Sequence, residues 1–226
     1  MTPTTRPGSR RERPAKAALT REGIIAAALQ ILENEGLGKV TMRRIAATLD
    51  TGAASLYVYV RNTADLHAQI LDELLGRIEP VRTGTWRERL VALLEQYTAV
   101  LFQYPEIAQM SISTRPSGPN YLALLDELLG LLHEGGVGDA QAAWGVDLLL
   151  AFPTATAVEH GLNHQSGDNT ADEALADLGT KIAAADPAVH LHLARLGDYL
   201  ISGSGPERTR WGYDVLIDGI SRAPRH

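Results

Sequence analysis

The sequence predicts an all-α protein, with a three-helix head built around a helix-turn-helix and a larger helical body behind it. Three observations predict this. Aromatic residues are only 5% of the 226 residues and Ala and Leu dominate, which favours helix over sheet. Apolar residues recur at helical spacing along most of the chain, with no strand alternation and no internal repeat. Gly, Pro and capping residues punctuate these stretches where helices would begin and end.

Residues 1–18 are rich in Arg, Pro and Thr and nearly free of large apolar residues, as in a disordered basic arm. Its cations, Arg6, Arg10, Arg11, Arg13 and Lys16, are suited to track phosphates. Thr20 is a candidate N-cap for a first helix carrying Ile24, Ala28 and Ile31, flanked by Ile25, Leu29 and Leu32; Gly36 and Gly38 end it. Thr41 can cap a second helix with Met42, Ile45, Ala46 and Leu49 on its apolar side. Asp50, Thr51 and Gly52 form a tight turn. A short third helix over 53–60 carries Leu56 and Val60 on one side. Asn62 can cap a fourth helix, with Asp65 three residues on as a reciprocal partner, and this helix stops before Pro80.

Thr85 to Glu88 has capping-box spacing and opens a long helix to about Gln103. Pro105 suits the first position of a short helix, and 114–119 reads as a loop. A helix over 120–134 ends at Gly135 and Gly136. Asp139 caps another, running to about His160 and kinked at Pro153. A polar loop over 164–170 follows, then helical stretches near 171–184, 187–201 and 207–221. The domains expected are the arm, residues 1–18; a helix-turn-helix domain, 19–66; and a helical ligand-binding and dimerisation domain, 67–226.

The net charge of −6 hides an asymmetry. Residues 1–70 hold ten Lys/Arg against six Asp/Glu, whereas the remainder is strongly acidic. A basic head on an acidic body suggests that the head meets a polyanion; the alternative is a solvated basic tail. There is no cysteine, so no disulfide or thiolate metal site can form, which fits a reducing cytoplasm. No signal peptide and no apolar run of membrane-spanning length is evident.

The chemistry concentrates between Thr41 and Thr63. Two helices and a tight turn within some twenty residues match a helix-turn-helix. Ala46 and Ala47 permit close packing, and Ile45, Leu49 and Leu56 can form the shared core. The third helix then exposes Ala53, Ala54, Ser55, Tyr57 and Tyr59. Its small N-terminal residues let backbone approach base edges and phosphates, and the tyrosine hydroxyls can reach phosphate oxygens. Arg43 could fork onto a guanine in the major groove, while Arg44 suits phosphate or solvent. The alternative is an ordinary helical hairpin with surface arginines.

The stretch from Thr20 to Leu66 resembles the DNA-binding head of the tetracycline-repressor (TetR) family, and Ser55 to Asn62 ("SLYVYVRN") resembles that family's signature at the end of the recognition helix. The resemblance implies a homodimeric DNA-binding regulator with a C-terminal ligand-binding body. By position it places Arg43 at a helix-two base contact, Ala53, Ala54 and Ser55 at recognition-helix contacts, and Tyr57 and Tyr59 at phosphate contacts. Thr41, Arg44 and Thr63 complete the expected DNA-binding set. Two departures stand out. Asp50 replaces the usual turn glycine, and Thr63 replaces the usual lysine, for which Arg61 can compensate. The body resembles the tetracycline-repressor branch over Thr85–Ile107 and Ser113–Gly136. Yet Ser111 stands where that branch holds a metal-binding histidine, and Glu79 and Leu93 stand at drug contacts, so tetracycline with magnesium is not the expected effector.

Tyr97, Met110, Thr114, Tyr121, Leu124, Trp144 and Leu148 could line a mostly apolar ligand cavity; singly, each also reads as core. Ala142, Ala143, Gly145, Trp211, Leu216 and Ile220 offer surfaces for a four-helix dimer interface, or for burial within the monomer. His160 and His164 share a helix face but lack the pattern of a zinc site, so no metal and no other cofactor is expected. No phosphate loop, nucleophile elbow or placed carboxylate pair appears, so the chain is not read as an enzyme. The function expected is a ligand-responsive cytoplasmic transcriptional regulator, most readily a repressor of a palindromic operator. The alternative is a helical small-molecule binding protein without specific DNA readout.

Overall fold

A computed structural model describes residues 18–113, 116–165 and 170–223, with 113, 162–165, 170–172 and 174 in backbone only. All regular structure among these residues is helical. Residues 1–17 of the expected arm, Thr114, and residues 166–169 of the expected polar loop lie outside them. The chain divides into two compact units, Met1–Val60 and Arg61–His226.

The head holds α1 (Arg21–Glu35), α2 (Met42–Thr48) and α3 (Ala53–Leu56), with a short 3-10 turn at Leu37–Lys39. Thr20 caps α1 through Gly23 N–H, and Thr41 caps α2 through Arg44 N–H. Ile24, Ala28 and Ile31 from α1, Ile45 and Ala46 from α2, Leu56 from α3 and Val60 form its core. Ala47 does not join it: the buried side of α2 is set by Met42, Ile45 and Ala46, and Ala47 points outward. The turn after α2 closes as a Schellman motif. Thr51 N–H bonds Ala46 O at 2.8 Å, Asp50 N–H bonds Ala47 O at 3.2 Å, and Asp50 takes φ 49°. Asp is tolerated in this left-handed geometry at a cost of about 1 kcal/mol.

α3 is shorter than its apolar spacing predicts. It ends at Leu56, and residues 57–59 form a turn in which Tyr59 and Val60 N–H both bond Leu56 O. Tyr57, Val58 and Tyr59 are poor helix formers in sequence, so the register survives while the helix does not.

The body holds α4 (Thr63–Leu75), α5 (Trp86–Gln103), α6 (Pro105–Ser113), α7 (Pro119–Glu134), α8 (Asp139–Gln165), α9 (Thr170–Ala183), α10 (Leu191–Leu200) and α11 (Gly205–Arg222). The predicted capping box at Thr85 and Glu88 is present, and an unpredicted one joins Ser204 and Glu207, starting α11 earlier than expected. The reciprocal bond at α4 is absent. Asn62 accepts from Asp65 N–H, but the Asp65 carboxylate turns to Arg61 N–H at 2.8 Å. α10 begins at Leu191 because residues 187–189 form a turn instead.

α8 is the central element, packing on α5, α6, α7 and α11. It continues past Pro153 to Gln165. Pro153 has no N–H to give to Leu149 O; beside it, Thr154 Oγ1 donates to Leu150 O at 2.7 Å and Thr156 Oγ1 to Phe152 O at 3.0 Å, i−4 back-bonds of the kind that bend helices. Gly145 lets α11 approach closely: a Cβ there would stand 2.6 Å from the Ile220 side chain. The core is leucine-rich, with Leu90, Leu93, Leu94 and Leu101 of α5, Leu128 and Leu132 of α7 and Leu149 of α8 in the buried set. No helix of the described residues is long and apolar enough to cross a membrane.

Candidate nucleic-acid interface and ligand core

The head turns one face outward with little of its own structure invested in it. Leu56 and Val60 are fully buried and four residues apart, so Val58, halfway between, must face away; it is 81% exposed. Ala54, Ser55, Tyr57 (55% exposed) and Tyr59 share this exposed segment, and Ala53 is half-buried. Val58 is not among the exposed residues that the sequence singles out. The spacing of its two buried neighbours is the signal that finds it.

The arginines part company. Arg43 is exposed, and among the described residues no hydrogen bond or ion pair engages its side chain. Arg44 is committed to the head, because its guanidinium grips Glu35 at the end of α1, at 2.6 Å (Nη2–Oε1) and 3.3 Å (Nε–Oε2). This bond holds the Glu35 carboxyl below its usual pKa. Arg44 also reaches Thr48 Oγ1 at 3.4 Å. Its role is thus to brace α1 against α2. Thr41 is occupied as a cap, and Thr63 stands exposed at the first position of α4. Tyr59 is also engaged: its hydroxyl donates to the Leu19 carbonyl at 2.7 Å.

In the body, Tyr97 of α5 and Thr154 of α8 share a buried hydroxyl–hydroxyl bond of 3.0 Å. Burial pushes the Tyr97 phenol up to about 12; the Thr154 bond opposes this and the neighbouring Tyr121 adds to it. A parallel contact joins Tyr213 of α11 to Thr98 of α5, with the Tyr213 ring edge-on to Phe152 at 5.7 Å. Burial pushes the Tyr213 phenol upward too. Leu124 is buried, and Tyr121 and Met110 are half-buried. Trp144 (60% exposed) and Leu148 stand on the outside of α8, because Ala142, Gly145, Val146 and Leu149 define its buried sides. They are not brought together with Tyr97 and Leu124. His160 stacks on Phe102 at 4.8 Å between ring centroids, and the side chain of His164 lies outside the described residues.

The expected interface residues divide in the same way. Ala142 is buried within the chain, Gly145 and Ile220 are buried where α8 meets α11, and Leu216 is half-buried. Trp211 (68% exposed) and Val215, one turn apart on α11, face outward.

Two polar contacts fasten α4, neither read from the sequence. Asp72 is a buried carboxylate that accepts from Tyr121 N–H at 2.9 Å, Asn120 N–H at 3.4 Å and Asn120 Nδ2 at 3.3 Å. The α7 N-cap, Gly118, has no side chain to offer. Asp72 therefore caps α7 from another helix, with its charge at the favourable end of the helix dipole. Gly118 makes room for this, since a Cβ there would stand 2.1 Å from Asp72 Cγ.

The second contact is His67 Nδ1 against Met110 Sδ at 3.0 Å, with Nε2 buried and unpartnered among the described residues. Burial lowers the His67 pKa below its ordinary 6.5. The folded chain therefore binds this proton less readily than the unfolded chain. The associated loss of stability should begin as pH falls through 6.5 and be complete below the lowered folded-state value. Melting temperatures of wild type and His67→Phe, taken from about pH 8 to about pH 5, should show the wild type losing more stability on acidification. Parallel pH profiles would refute this.

Comparison with known proteins agrees with this arrangement. Residues 24–70 match the family described as bacterial regulatory proteins, tetR family, and residues 80–223 match the tetracyclin repressor-like C-terminal domain. An HTH-type transcriptional regulator of Saccharopolyspora erythraea is 33% identical over 196 residues, covering 84% of this chain and 77% of that protein. The crystal structure of a transcription regulator of Streptomyces coelicolor, SCO7704, superposes with a TM-score of 0.76 at 45% identity, covering 93% of this chain and 98% of that one. ActR of the same organism, solved in complex with actinorhodin, gives a TM-score of 0.79 at 30% identity over 90% of this chain and 96% of its own. With both of its units matched in order, the chain belongs to the TetR family of transcriptional regulators.

Proposed function

We propose that the protein is a homodimeric repressor that reads a palindromic operator with its two heads and is released by a small aromatic molecule bound in the body. The observation carrying the DNA half is the outward set of Arg43, Ala54, Ser55, Tyr57 and Val58, built around two buried anchors and free of structural duty in the head. Arg43 suits a bidentate contact to guanine, Val58 an apolar contact to a thymine methyl, and Tyr57 a phosphate. Two heads of a dimer would meet half-sites about 34–36 Å apart.

The effector half rests on chemistry at the α5–α8 and α5–α11 seams. The hydroxyls of Tyr97, Thr154 and Tyr213 are buried there and that of Thr98 is half-buried, while the ion pairs of Arg87 with Asp214 and Asp218 on the α5–α11 seam are open to solvent. Neutral hydroxyls among leucines and phenylalanines favour a largely uncharged, ring-bearing ligand over a phosphate or metal chelate. The likeness to ActR, whose solved complex contains actinorhodin, supports a small-molecule effector. Such a ligand lowers DNA affinity only by its preference for the released state. Asp72 and His67 would carry that preference into α4, the helix that follows the head.

The test is Arg43→Ala against Arg44→Ala. On a duplex taken from beside the protein's own gene, Arg43→Ala should cost about 1–3 kcal/mol and less on random duplex. Arg44→Ala should lower the melting temperature of the head and weaken both duplexes alike. Equal losses for Arg43→Ala on both duplexes would leave a helical ligand-binding protein without sequence readout.

A further inference from the structure

Among the described residues, Val58 is the large apolar side chain with the highest fractional exposure, 81%. Ala54 and Val58 each lie two residues from the buried Leu56, on the side of the helical path opposite to it, and the bond from Val60 N–H to Leu56 O carries that path past Val58. Polar side chains are few around them. Ser55 is the one polar side chain of α3, and the Tyr59 hydroxyl is occupied by the Leu19 carbonyl at 2.7 Å.

A valine offers no donor and no acceptor, and its branched side chain is stiff at χ1, so Val58 presents its methyl groups in a fixed direction. Base edges in the major groove carry carbonyl oxygens, ring nitrogens and amino groups, with one methyl group, that on C5 of thymine. Set against a polar edge, Val58 would displace water and return no hydrogen bond. A methyl group is its match. The same methyl, at the same place in the groove, is borne by 5-methylcytosine, and neither Val58 nor Ala54 has a polar group with which to tell the two pyrimidines apart. We infer that Val58 reads the C5-methyl itself, whichever pyrimidine bears it, so that 5-methylcytosine serves in place of thymine and cytosine methylation of the operator raises affinity. The inference rests on the proposed reading of DNA by α3 and adds to it a second accepted base.

The test begins with an operator selected from a random duplex pool by the full chain. Each thymine of one half-site is replaced in turn by uracil, and binding is followed by fluorescence anisotropy. One replacement should weaken binding about threefold to fivefold, the worth of one buried methyl group. At that position four base pairs are then compared: T·A, U·A, 5-methylcytosine·G and C·G. The two methylated pairs should bind within about twofold of each other, and each about threefold to fivefold more tightly than its unmethylated counterpart. Val58→Ala removes an exposed group, so the melting temperature should hold while both methyl effects vanish. A wild-type protein that rejects 5-methylcytosine·G as strongly as C·G would overturn the inference, since the base and not its methyl would then be read. A methyl effect that persists in Val58→Ala, or no uracil-sensitive position at all, would overturn it as well. If the selection returned no preferred sequence, the DNA-reading assignment of α3 would fall first, a result distinct from the others.

Discussion

Gly118→Ala is expected to destabilise the body by about 2–4 kcal/mol, an unusually large effect for one methyl group. The backbone is not the reason. Gly118 has φ −75° and ψ 168°, which alanine adopts freely. The reason is the Asp72 carboxyl, 2.1 Å from where the new methyl would stand. Asp72 must withdraw, and the N–H groups of Asn120 and Tyr121 then lose their acceptor. Asp72→Ala should cost a similar amount for the complementary reason, leaving the same donors uncapped. The double variant should cost much less than the sum, because both changes break one contact. Urea unfolding of the four proteins checks this. Additive losses would show that Gly118 and Asp72 act separately.

The second large effect concerns assembly. Trp144 and Leu148 on α8, and Trp211 and Val215 on α11, are large, outward-facing and carried by two helices that pack together. Trp144→Asp with Trp211→Asp would place four carboxylates in a dimer interface built from these surfaces. The double variant should be monomeric at micromolar concentration and should bind its operator more than about 100-fold more weakly, since linkage of two half-sites is lost. Light scattering and gel shifts provide the measurement. A variant that remains dimeric would move the interface elsewhere. This proposed surface shares Trp211 with the set read in the sequence; of the others, Gly145 and Ile220 meet inside one chain, where α8 packs on α11, and Ala142 is buried.

Legibility tracked the range of the physics. Helix starts were readable where the signal is local, as at Thr20, Thr41 and Thr85, because a capping side chain and its N–H lie three residues apart. The head was readable because its motif is short and dense, and Asp50 could be placed in the turn since Asp tolerates positive φ. What failed was long-range. Nothing in the spacing says that Asp65 prefers Arg61 N–H to Asn62 N–H, or that Arg44 will find Glu35 and not phosphate. Asp72 looks like a polar residue on an amphipathic helix until α7 presents an uncapped end 48 residues later. Trp144 and Leu148 read as cavity lining because a helix buried on several sides has no clean periodicity to reveal which face stays outside.

The brace between Glu35 and Arg44 has a consequence for how such a chain changes its target. Because the apolar interior holds the head together and Arg44, not Arg43, engages Glu35, the side chains of Arg43, Ala54, Ser55 and Val58 stand outside the packing of the head. Substitutions there can be drawn from a wide alphabet with little thermodynamic penalty. On the proposed reading of the duplex, retargeting to a new DNA sequence would be a matter of four side chains and would leave the molecule that carries them intact.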